Sequence, residues 1–243
     1  CRSSCPQVDQ RQENIMSGAT RSTRWTGILA ALLLAGCGGI NSSITLSEGD
    51  RVSGSLSTVN GKIVIGERAE VGGSLKTVNG AIELASNCRV GSAETVNGSI
   101  SVADNVTSGG LETVNGSIRV GRDNRIGGAI ESVNGSVDIG SGTRVDGTVS
   151  AVNGTLRLAG AHVAGLRNVK GGMELLPGTH VAGELRVIRP RGSLGSDPDV
   201  TIHENVVVEG PLVFERPVQL RIHRDAQVGE ITGAEPEYFD GNS

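Results

Sequence analysis

The chain has 243 residues, enough for one elongated domain or one large compact one, and a formal net charge of only −4. Glycine is abundant at 37 residues, whereas Trp25, Tyr238, Phe214 and Phe239 are all of the aromatics, which excludes a core anchored on large rings and favours a thin, layered core of Val, Ile, Leu and Ala. Basic residues do not cluster within the repeats described below, so no nucleic-acid partner is expected, and Cys1, Cys5, Cys37 and Cys88 match no zinc or redox spacing.

The first recognisable element is an address. Arg21 and Arg24 follow Met16 as a positive region, and Ile28 to Ala35 form an apolar stretch. A run of about ten residues is too short to span a bilayer as a helix. Leu34-Ala35-Gly36-Cys37 closes it and resembles the lipobox of bacterial lipoproteins. The resemblance implies a signal peptide over 16–36, acylation of Cys37, and residues 1–15 absent from the mature protein. Gly38 stands where that family carries Asp as an inner-membrane retention signal, which implies the outer membrane of the cell envelope. A lipid-bearing Cys37 makes the membrane a partner, and residues 37–44 are expected to be the anchor and tether.

A repeat follows. Val-Asn-Gly recurs with its asparagine at Asn60, Asn79, Asn97, Asn115, Asn134 and Asn153, in steps of 19, 18, 18, 19 and 19 residues; Val169-Lys170-Gly171 continues it. Apolar pairs keep the same register: Ile63/Ile65, Ile82/Leu84, Ile100/Val102, Ile118/Val120, Val137/Ile139, Leu156/Leu158 and Met173/Leu175. The residue between each pair varies freely, the alternation of a half-buried strand. A second column reads apolar-x-Gly-x-apolar, as in Val52-Gly54-Leu56 and Val145-Gly147-Val149, and predicts a second strand per turn.

Strands this short bury their apolar faces only by stacking on equivalent strands of neighbouring turns. The fold class expected is therefore all-β: a single-stranded parallel β-solenoid of about ten turns of 18–20 residues over 45–232. The sequence leaves the handedness open, with right-handed preferred. The Asn-Gly pairs are expected at corners, where both residues tolerate positive φ. From Val181 to Val208 the step is 27 residues, and the Pro- and Gly-containing stretch Arg189 to Asp199 predicts a protruding loop. Residues 41–50 are expected to cover the start, and 233–243 to be an acidic tail or cap.

In this grammar the chain resembles two bacterial β-solenoid families over about residues 45–232: the polymer-forming bactofilins, and the adhesin-like domains of envelope proteins whose turns contain Val-Asn-Gly. The lipobox favours the second. Neither resemblance implies a catalytic residue or a cofactor, and the function expected is non-enzymatic: a structural, self-associating or ligand-interacting rod.

Three chemical readings remain. If the repeat valine points inward, Thr58, Thr77, Thr95 and Thr113 form an outward ladder beside the asparagines, an array like that of ice-binding proteins; the competing reading has the asparagines satisfying one another along a corner. His162 and His180 lie 18 apart and His203 and His223 lie 20 apart. Two histidines fall short of the three or four protein ligands zinc usually takes, so no metal site is expected. The spacing Val114, Val120, Ile126 also suits a hexapeptide acyltransferase, but such enzymes use cytosolic acyl donors.

Overall fold

The computed structural model describes residues 41–191 and 195–241. The segment carrying Met16, the apolar stretch and Cys37 lies outside them, as do residues 192–194 and the last two residues.

The described chain is a parallel β-solenoid of about ten turns with no helix. Most turns carry three short strand segments. The first is the apolar-x-apolar strand, as in Ile63–Ile65 or Ile118–Val120. It stacks into an eleven-stranded ladder among the described residues. One column of that ladder runs Ile44, Ile63, Ile82, Ile100, Ile118, Val137, Leu156, Met173, Val200, Leu220. Ten steps at the usual spacing of about 4.8 Å give a rod of about 48 Å.

The remaining two segments are what the sequence presents as one second strand. In most turns the glycine bends the chain, separating a two-residue piece such as Glu70–Val71 from a longer one such as Leu75–Thr77. Two turns run straight through: Arg144–Ala151 and His162–Asn168.

The core is one continuous file. Ile63, Ile65, Leu75, Ile82, Ile100, Leu111, Ile118, Ile126, Ile130, Leu156 and Leu158 are all fully buried. Burying an aliphatic side chain of this size stabilises by about 1.5–3 kcal/mol, and each turn supplies several. The aliphatic shortfall of any one turn is made up by the turns above and below it.

One corner per turn requires a left-handed residue, and it is not the Asn-Gly corner. At this corner positive φ falls on Gly49, Arg68, Asn87, Asn105, Asp123, Gly142, Gly160, Gly178 and Asn205; Gly195, Gly233 and Gly241 adopt it elsewhere. This column lies between the first strand and the two-residue piece. Gly, Asn and Asp occupy eight of its nine places, the residues that enter this region most cheaply. The Val-Asn-Gly residues are absent from the set, so their expected positive φ is corrected: that corner is made by close approach instead, as described below.

The ends differ from the expectation too. Ile44–Leu46 already pairs with Ile63–Ile65, so residues 41–50 belong to the first turn. Glu237–Phe239 pairs with Arg221–His223, so the acidic segment contributes a rung of its own. The long step is confirmed as an insertion: Val181 pairs with Val208, and no strand is found among the described residues between Val187 and Asp199.

Arg216 fastens the inserted loop. Its side chain is fully buried and donates to the carbonyls of Ser196 at 2.8 Å and Val169 at 3.3 Å. The Asp197 carboxylate lies 3.9 Å away.

Candidate functional site

The repeat's polar residues divide between the inside and the outside of one corner. Thr58, Thr77, Thr95 and Thr113 are buried, at 1–5 % exposure. Leu56, Leu75, Ala93 and Leu111 precede them by two residues and also face the core, as a period-two strand requires. The repeat valine between threonine and asparagine therefore points out, and Val59 is 39 % exposed. The outward threonine array is thus corrected: these side chains present no ligand face, because the strand's phase turns them inward.

Inside, each hydroxyl has one task. Thr77 donates to the carbonyl of Gly61 at 3.0 Å, Thr95 to Gly80 at 2.9 Å, Thr113 to Gly98 at 2.9 Å and Ser132 to Gly116 at 3.1 Å. Thr58 donates to Ser42 at 2.9 Å. In the turn of Lys170 the place belongs to buried Asn168, whose amide serves the carbonyls of Gly154, Gly171 and Gly172. The acceptor glycine must be glycine. A Cβ on Gly80, Gly98, Gly116, Gly135 or Gly154 would overlap the carbonyl of the equivalent glycine one turn earlier. Threonine and glycine of successive turns are thus a matched pair that lets the rod pack tightly at this corner.

Outside, the asparagines form a hydrogen-bonded file. The Nδ2 of Asn79 donates to the Oδ1 of Asn60 at 2.7 Å, and Asn97, Asn115, Asn134 and Asn153 repeat the bond to the preceding turn at 2.8–2.9 Å. The file starts one turn earlier than the tripeptide shows, since Asn60 donates to Asn41 at 2.6 Å. Asn41 sits 19 residues before Asn60 but lacks the flanking Val and Gly, so only its spacing marks it. Lys170 follows Asn153 in register, its backbone N–H bonding the carbonyl of Val152.

The result is a stripe of outward valines (Val59, Val78, Val96, Val114, Val133, Val152) alongside amides that are largely satisfied by one another. On the next outward column Lys76 pairs with Glu94 at 2.8 Å, and Glu112 and Glu131 follow in register. Exposed pairs of this kind add little stability. Among the described residues no group of three or more His, Cys, Asp or Glu is placed to hold a metal ion.

No protein-family model matches the chain, and no curated protein or solved structure matches it.

The rest of the titratable chemistry is dispersed. Cys88 occupies the buried column of Ala69, Val106 and Ala161, and burial pushes its thiol up to about 11. Asp104, half-buried, is held below the usual carboxylate range, first by the backbone N–H of Arg122 and then by its guanidinium. His203 and His223 lie edge-on to Phe239 in the last rung, with ring centroids 6.1 and 5.2 Å from it. A polar cleft of about 420 Å³ opens beside the inserted loop, with Lys170, Glu174, Asp199 and Arg221 among its lining residues.

Proposed function

We propose that the chain is a non-enzymatic lipoprotein of the bacterial cell envelope, anchored in the outer membrane, whose solenoid is a structural, self-associating or partner-binding rod. The observation that carries the reading is the uniformity of the fold. Turn after turn repeats the same inward apolar-x-apolar strand, and the residue between each apolar pair varies in charge and size. A chain under that pattern invests its sequence in a long, regular body rather than in one convergent constellation of reactive groups. The lipobox-like Leu34-Ala35-Gly36-Cys37 supports the anchor.

A second reading, a surface adhesin, draws support from the valine and asparagine stripe. A file of outward β-branched side chains, exposed at Val59 and half-buried from Val78 to Val152, offers apolar contact over several turns. The ice-binding variant of that reading loses its basis, because the threonines it needs are inside.

Metabolic labelling with a fatty-acid analogue tests the anchor: label is expected on the native chain and absent from Cys37→Ala. Unlabelled native protein in a bacterial envelope host would refute it. Sedimentation over a range of concentrations, with negative-stain microscopy, separates the self-associating rod from a monomer. Val96→Lys and Val133→Lys test the stripe: lost capture of an envelope partner supports the adhesin.

A further inference from the structure

We infer that His162 and His180 form an open binding site for a tetrahedral divalent cation of the zinc type. The two residues are Cα partners on adjacent turns, and both project outward. Their Nδ1 atoms face each other at 3.4 Å, with the rings inclined at 68°. That separation lies at the long end of hydrogen-bond distance. It matches a shared ion: two nitrogens each about 2.0–2.1 Å from zinc at the tetrahedral angle stand about 3.3–3.4 Å apart.

The second nitrogen of His180 supplies the orienting contact. Its Nε2 lies 2.9 Å from a carboxylate oxygen of Glu209. A carboxylate accepts, so Nε2 carries the hydrogen, and the neutral ring then keeps its lone pair on Nδ1, aimed at His162. A carboxylate behind a ligating imidazole both fixes the tautomer and raises the basicity of the ligand.

The surroundings leave room. Ala164 and Ala182, two residues further along the chain from each histidine, are exposed and small. The nearest cation in the column is Arg144, the Cα partner of His162, and the Asp146 carboxylate holds it at 2.8 Å. Two protein nitrogens leave two positions of the tetrahedron for water or for a donor atom of a partner. The site is thus of moderate strength and exchangeable, and acid weakens it because the imidazoles must be unprotonated to bind.

The test is calorimetric titration of the chelator-stripped full chain with zinc chloride, followed by histidine ring resonances. One ion per chain is expected, with shifts confined to His162 and His180 and none at His203 or His223. His162→Ala and His180→Ala should each weaken binding at least tenfold, and Glu209→Gln about tenfold. All three positions are on the surface, so melting curves without zinc should not move. No binding, an unchanged affinity in the double His variant, or shifts centred on His203 and His223 would overturn the assignment.

Discussion

The hydroxyl of Thr95 donates to the carbonyl of Gly80, 2.9 Å away in the turn before. Threonine is needed there for its oxygen, since the position faces the core. Thr95→Val keeps the shape and removes the donor, so it should cost about 1–2 kcal/mol. The same change at exposed Thr45 should be silent. Equal thermal melts for the two variants would show that the hydroxyl contributes nothing.

Gly98 and Gly54 separate close approach from ordinary glycine usage. A Cβ at Gly98 overlaps the Gly80 carbonyl, whereas one at Gly54 meets nothing within 4 Å. Gly98→Ala should destabilise by about 1–3 kcal/mol through forced backbone shift. Gly54→Ala should be neutral or slightly stabilising. Denaturant midpoints of the pair check the contrast.

Asn115 stands mid-file, donating to Asn97 and accepting from Asn134. Asn115→Asp sets a carboxylate oxygen against the Oδ1 of Asn97, so it should cost more stability than Asn115→Ala. Acidification below the carboxylate range should restore part of the loss. If alanine proves worse than aspartate, the Asn115 amide does not donate along the file.

Cys88 gives a pH dependence with a definite sign. Burial raises its thiol from the ordinary 9.0 to about 11 in the folded chain. The unfolded chain therefore releases its proton first. The stability tied to this group is intact below about pH 9 and is lost as pH climbs toward 11, up to about 2–3 kcal/mol. Cys88→Ala should abolish that slope without harm, since Ala69 and Ala161 fill the same column. Thiol reagents at pH 8 should modify Cys88 only at the rate of unfolding.

Arg216 should govern the inserted loop. Arg216→Gln removes part of the fork that holds Ser196 and Val169, and tryptic cleavage after Arg191 should then accelerate several-fold while the rest of the rod stays resistant. Cleavage at the native rate would mean that other contacts hold the loop.

The solenoid was legible because its signal is redundant. The column from Ile63 to Met173 and the even spacing of Asn60 to Asn153 repeat the same statement in every turn, and pairing in register follows from it. The phase of the middle strand was harder to read. Thr77 and Val78 are both β-formers, and only the Gly61 carbonyl of the turn before makes an inward hydroxyl the better choice, a constraint that appears when two turns are stacked. The left-handed corner hid for a similar reason: Arg68, Asn87, Asp123 and Gly142 share a backbone state and no side-chain chemistry. Asn41 escaped because its neighbours do not spell the tripeptide, and the His162–His180 approach depends on ring orientations that spacing alone does not carry.

The asparagine file gives the rod a polarity. Each amide donates toward the start of the chain, so the small dipoles of successive turns add instead of cancelling, with the hydrogen end at Asn41 and the oxygen end at Asn153. Lys170 takes the next place, a cation set beside the oxygen end, and there the asparagines stop. The corner is therefore a vector with a beginning and a terminator. Turns duplicated within it would extend it in the same sense, whereas a turn inserted in reverse order would meet donor with donor and break the file.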